Sequence, residues 1–191
     1  MRKTRPGGRT AQTRAAVFAA AEGLLAEKAA SDIAMVDIAQ RAGVAATSLY
    51  RRWGDVRSLL MEVAVERLMQ DSPLPDTGSL RGDLTAWAKA VAASLANPAG
   101  SIFFRVYVGT VPAPGDDTAG RAQAVMRRID QIAAMLEKAR ARGEKAPHVF
   151  EVTDHLLAPI YMRTLFGFPV DAAGAEGLVT YLLAVVEARA V

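Results

Sequence analysis

Apolar residues along this chain recur every three or four positions, and no stretch keeps the strict alternation of a half-buried strand. Between residues 10 and 28, Val17, Ala21, Leu24, Leu25 and Lys28 fall at helical spacing, with Arg14, Glu22 and Glu27 off the stripe. A short helix is predicted over 35–42, where Met35, Ile38, Ala39 and Ala42 share a face. Gly43, free to take the left-handed conformation, ends it. A third helix covers 46–53 and closes at Gly54. A fourth, over 55–70, turns Val56, Leu59, Leu60, Val63 and Leu68 inward. The run DSPLPDTG at 71–78 stops it.

Beyond that stop the period continues. Leu84, Trp87, Val91 and Leu95 mark a helix over 79–96, and another follows over 99–111. The segment VPAPGDD at 111–117 is a break before the longest helix, 117–142, which holds Val125, Ile129, Ile132, Leu136 and Ala139 inside and its charges outside. GEKAP at 143–147 ends it. Helices over 148–165 and 173–190 complete the chain, and Pro159 within the first predicts a kink. The expectation is an all-α fold of about nine helices with no internal repeat.

Composition narrows the class. The 191 residues are 51% hydrophobic, and about a fifth are alanine, which excludes general disorder and supports a real helical core. Cysteine is absent, which excludes a disulfide scaffold, thiol catalysis and cysteine-ligated zinc, and suits a reducing compartment. No apolar run approaches the ~20 residues of a membrane span. The basic N-terminus (Arg2, Lys3, Arg5, Arg9) has no apolar stretch behind it, so it does not read as a secretory signal. A cytoplasmic protein with no membrane partner is expected. The net charge of +3 is uneven: residues 1–57 carry ten basic and five acidic side chains, and the remainder carries 13 and 15. A basic N-terminal third on a slightly acidic body suggests contact with a polyanion.

The segment VDIAQRAGVAATSLYRRW at 36–53 focuses that suggestion. Two short helices joined by a glycine turn have the geometry of a helix-turn-helix, whose second helix enters the major groove of DNA. Ile38, Ala39 and Val44 lock the pair, and Leu49 is the inward residue of the second helix. Thr47, Ser48, Tyr50, Arg51 and Arg52 then face outward: hydroxyls, an aromatic ring and two guanidiniums, all suited to phosphates and base edges.

On these residues the chain resembles the tetracycline-repressor (TetR) family of bacterial transcription regulators. The family's run is similar to I-A-x-x-A-G-V-S-x-G-T-L-Y-x-H-F, followed by a Lys-x-x-L-L helix. Here Ile38-Ala39, Ala42-Gly43-Val44, Ser48-Leu49-Tyr50, Trp53 in the Phe place and Leu59-Leu60 match it. Ala34 and Ala45 stand where a capping Ser or Thr is usual, and Ala46 where a polar contact residue is common. Ser31 and Asp32 are the nearest side chains able to supply a displaced cap. The resemblance implies DNA contacts by Thr47, Ser48, Tyr50 and Arg51, with Arg52 and Arg57 as phosphate anchors. Trp53 reads as core.

It further implies a DNA-binding domain over 1–54, opening with a flexible basic arm at 1–8, and an effector-binding and dimerisation domain over 55–191. The protein would be a dimeric repressor released from a palindromic operator by a small-molecule effector, without a cofactor or catalytic residues. Candidate effector contacts are Trp87, Phe103, Phe104, Tyr107, Met126 and Tyr161; Arg105 is either an anchor for an anion or an exposed charge, and reads as exposed. Candidate dimer contacts are Val152, Leu156, Ile160, Leu178, Leu182 and Val186, since the last two helices are apolar around more of their circumference than one packing face needs. Two rival classes remain: a helix-turn-helix protein with no effector, and a metal-dependent enzyme built on Glu151, Asp154 and His155 with His148. The second falls short of the three ligands a catalytic metal usually takes.

Overall fold

The computed structural model describes residues 6–110 and 119–189. The expected break at 111–117 and the basic residues Arg2, Lys3 and Arg5 lie outside the described residues. Every regular element among the described residues is helical. In order they are α1 (Pro6–Glu27), α2 (Met35–Ala42), α3 (Ala46–Trp53), α4 (Val56–Asp71), α5 (Leu80–Ala96), α6 (Pro98–Gly109), α7 (Ala119–Ala141), α8 (Val149–Val152), α9 (Ala158–Leu165) and α10 (Ala172–Ala188). A π turn at Thr153–Leu157 joins α8 to α9 in one unbroken rod, in which the Ala158 N–H reaches back five residues to the Thr153 carbonyl. Proline explains that turn. Pro159 has no N–H and its ring crowds the preceding turn, so the helix widens by one residue just before it. At the other end of the chain, α1 begins at Pro6 rather than near Thr10, so the last part of the expected arm is helix.

Helix ends follow local chemistry. Gly43 sits at φ 66° and closes α2, with the Val44 N–H bonded to the Ala39 carbonyl at 3.0 Å. Gly54, at φ 77°, closes α3, and the Asp55 carboxylate then caps α4 by accepting the Ser58 N–H at 2.7 Å. Neither Ser31 nor Asp32 caps α2. Instead Asp37, one turn inside, accepts the Ala34 N–H at 3.0 Å, which is half of a capping box without its Ser or Thr.

The chain forms two compact units. One holds α1 to α3 and α4 as far as Val65, with the end of α6 from Arg105; the other holds Glu66–Phe104 and the chain from Ala122 onward. The division therefore falls within α4 rather than at Gly54, because Leu59, Leu60, Val63 and Ala64 are all buried with the first unit. In that unit Val17, Ala21, Leu24, Ile38, Ala39 and Leu49 make the centre. In the second unit α5 packs on α9 and α10, and Leu84, Trp87, Val91, Ile160, Val179 and Leu182 on those helices are all buried. Its loops are tied down by polar groups: the buried Asp83 accepts from the Thr77 N–H and hydroxyl, and the half-buried Glu144 accepts the Leu80 N–H at the start of α5 at 2.8 Å.

Candidate nucleic-acid interface

The short helix α3 is held from behind. Leu49 is 2% exposed and Trp53 9%, so the inward edge of α3 is committed to core. The Trp53 indole also donates through Nε1 to Glu62 on α4 at 2.6 Å, and Glu62 accepts Arg14 of α1 through Nε and Nη2 at 3.2 and 3.0 Å. The Arg14 guanidinium lies 4.1 Å from the Phe18 ring centre, and Phe18 meets Trp53 at 6.5 Å. Four side chains from three helices thus fix the last turn of α3.

The helix before it is tied to the end of α1, and to Lys28 just beyond it, by ion pairs at the surface. Arg41 makes a two-pronged pair with Glu27 at 2.8 and 2.6 Å, and its guanidinium lies over Gly23, where a Cβ would come within 3.1 Å of Cζ. That pairing holds the Glu27 carboxyl below the usual range. The Lys28 ammonium, at 2.7 Å, does the same for Asp37, helped by the Ala34 N–H.

With its inner edge locked, α3 presents the expected outer row. Thr47, Tyr50, Arg51 and Arg52 are exposed and Ser48 is half-buried. Arg57, at the start of α4, is exposed as well. Arg52 is the exception in character, since its guanidinium stacks over the Trp53 ring at 4.8 Å. Ala45 offers no side-chain cap, so the first N–H groups of α3 are left to solvent or a ligand.

The second unit departs further from expectation. Val152, Leu156, Ile160 and Leu182 are 0% exposed within the single chain, so they are core residues and not dimer contacts. Leu178 and Val186 stay half-buried. The large apolar groups that these helices and the loop after α9 do expose are Phe150, Met162, Leu165, Phe166, Phe168 and Tyr181. Of the effector candidates, Trp87, Phe103 and Phe104 are buried and Tyr161 half-buried, with the Phe104 and Tyr161 rings 5.0 Å apart. Met126 is 49% exposed, which removes it as a wall of an enclosed site, and Tyr107 belongs to the first unit. Arg105 is exposed. Glu151 is engaged by Arg189 and by the His148 N–H, and no group of three metal-ligating side chains is gathered among the described residues. No helix there is long and apolar enough to cross a membrane.

Sequence reasoning missed Arg128. It lies on the inward face of α7, four residues before the buried Ile132, with its guanidinium 4.9 Å over the Trp87 ring. Its spacing to Val125, Ile132 and Leu136 was the available signal.

A buried-backed two-helix motif with a cationic, hydroxyl-bearing outer face defines a helix-turn-helix DNA-binding protein. The profile of bacterial regulatory proteins of the tetR family matches residues 17–63, and that of the tetracyclin repressor-like C-terminal domain matches residues 74–182. The chain belongs to this family and is a transcriptional regulator. It is 32% identical over 168 residues to the HTH-type transcriptional regulator AqdR of Rhodococcus erythropolis, covering 88% of this chain and 79% of that one. It is 27% identical over 167 residues to the regulator YdeS of Bacillus subtilis (strain 168), covering 86% and 84%. The crystal structure of the TetR family transcription regulator SCO0332 superposes with a TM-score of 0.75 at 28% identity, over 91% of this chain and 97% of that one.

Proposed function

We propose that the protein binds a pseudo-palindromic DNA operator as a homodimer in the cytoplasm, represses transcription there, and is released by a small-molecule effector held in its second unit. The observation that carries the DNA reading is the outer row of α3. Thr47, Ser48, Tyr50 and Arg51 reach base edges and phosphates, while Arg52 and Arg57 hold the backbone that frames them. Two copies of α3 read two half-sites only when their spacing matches the DNA repeat, about one helical turn or somewhat more. The dimer face is supported by the apolar side chains left exposed at Phe166 and Tyr181, continuous in sequence with α9 and α10. The effector reading rests on the aromatic group Trp87, Phe103, Phe104 and Tyr161. Its link to DNA is α4, one unbroken helix from Val56 to Asp71 that starts three residues after Trp53.

The test is operator selection from random duplexes followed by fluorescence anisotropy. Tyr50→Ala and Arg51→Ala should each weaken binding, by ~1–3 kcal/mol where a base edge is read. Arg57→Ala should weaken it evenly across sequences and flatten the salt slope by about one unit. Unchanged affinity in all three variants sinks the assignment.

A further inference from the structure

Arg128 is unlike its neighbours. Arg127, Arg140, Arg142 and Arg189 each pair with a carboxylate. Arg128, partly buried, donates only to neutral acceptors: Nη2 to the Ser72 carbonyl at 2.7 Å and hydroxyl at 2.9 Å, and Nη1 to the Gln131 side chain at 3.2 Å. Among the described residues no carboxylate meets it. Three of its five N–H groups are so used, and two are left over. Burial pushes the guanidinium below its usual range, yet an arginine stays protonated, so among the described residues the cation has no carboxylate as counter-charge.

The residue beneath it has a matching deficit. Trp87 is 0% exposed, and its Nε1, a donor only, is buried with no acceptor. A buried donor of this kind calls for an acceptor, from water or from a ligand. The Tyr161 phenol, when ionised, favours the charged form of Arg128, and its ring lies 5.0 Å from that of Phe104, tilted by 31°. Ser72, Trp87, Phe104, Arg128 and Tyr161 all belong to the second unit.

We propose that this cluster is the polar end of the effector site and that the effector is an aromatic anion, with its carboxylate or phenolate on Arg128 and the Trp87 N–H and its flat apolar body against Phe104 and Tyr161. The inference rests on the reading that the second unit holds an effector, and it specifies that ligand's chemistry. It also supplies a route to DNA. The Ser72 hydroxyl donates to the Leu68 carbonyl at 2.8 Å, so Arg128, through Ser72, grips the C-terminal turn of α4, where a cation is favoured by the negative end of the helix dipole. An anion that takes the Nη2 donors competes with Ser72 and slackens that grip.

The experiment compares 2-naphthoate with its neutral isostere 2-naphthamide, on the full chain carrying Trp53→Phe so that fluorescence reports Trp87, with calorimetry as the second readout. Naphthoate should bind roughly tenfold or more tighter than the amide, as a charge-assisted contact predicts. Arg128→Gln should bring the acid down to the amide's affinity and leave the amide unchanged, and Arg128→Lys should keep part of the preference. Equal binding of acid and amide to the unaltered Arg128 protein overturns the anion assignment while the effector site stands; this arm holds even if the Arg128 variants do not fold. Failure of both probes to bind at millimolar concentration, with Trp87 emission unmoved, overturns the anion assignment together with the effector reading beneath it.

Discussion

Replacing Glu62 with Ala tests whether the brace behind α3 sets both stability and DNA reading. The substitution leaves the Trp53 Nε1, now donating at 2.6 Å, without its carboxylate acceptor. A hydrogen bond to a charged group contributes ~1.5–3 kcal/mol. It also removes one partner of Arg14, but that pair is about one-quarter exposed on each side, 26% and 25%, so solvent screening limits its share to at most ~1 kcal/mol. The expected loss is therefore roughly 2–4 kcal/mol. At the ~2–4 °C per kcal/mol typical of a chain this long, the thermal midpoint should fall by roughly 4–16 °C. Glu62→Gln keeps a neutral acceptor and should lose less. A double-mutant cycle with Trp53→Phe isolates the bond itself, because removing the indole N–H first should reduce the second change to the Arg14 share, at most ~1 kcal/mol. Operator affinity, measured well below the midpoint, should drop in Glu62→Ala although Glu62 touches no DNA. A midpoint within about 1 °C of the parent would refute the brace.

Leu182→Asp places an unpaired charge where the chain alone leaves no exposure, so it should misfold at a cost of several kcal/mol rather than yield a clean monomer; circular dichroism and sedimentation distinguish the two. Tyr181→Asp, one residue away and 59% exposed, should instead keep its helical spectrum while the sedimenting species shrinks. Gly43→Ala has open space around the new methyl but forces a side chain to φ 66°, costing ~1–2 kcal/mol by denaturant titration, with Gly43→Asn cheaper. Asp37 and Glu27 titrate below their ordinary ranges when folded, so their contribution is present at neutral pH and lost as pH falls through the lowered values. Stability should hold from pH 7 to about 5 and decline below roughly pH 4, with Asp37→Asn removing part of that slope.

The local architecture was legible in the sequence because its causes are local. Helical period placed the rods, Gly43 and Gly54 marked their ends, and Leu49 set the orientation of α3, from which the outward position of Thr47, Tyr50 and Arg51 follows by geometry alone. Trp53 read as core and is core. What packs against each face was decided only by the assembled fold. The all-round apolar character of α10 showed that more than one face needs cover, yet not that Leu182 is covered by its own chain while Tyr181 is left out. The same holds for Leu156 and Ile160, buried through the rod that Pro159 widens. Arg128 is the sharpest case. On α7 it reads as one more surface charge, and only the arrival of Trp87 and Ser72, 41 and 56 positions earlier in the chain, turns it into a partly buried cation that no carboxylate meets among the described residues. Periodicity is a property of neighbours along the helix, whereas burial and charge balance depend on segments that meet only when the chain has folded.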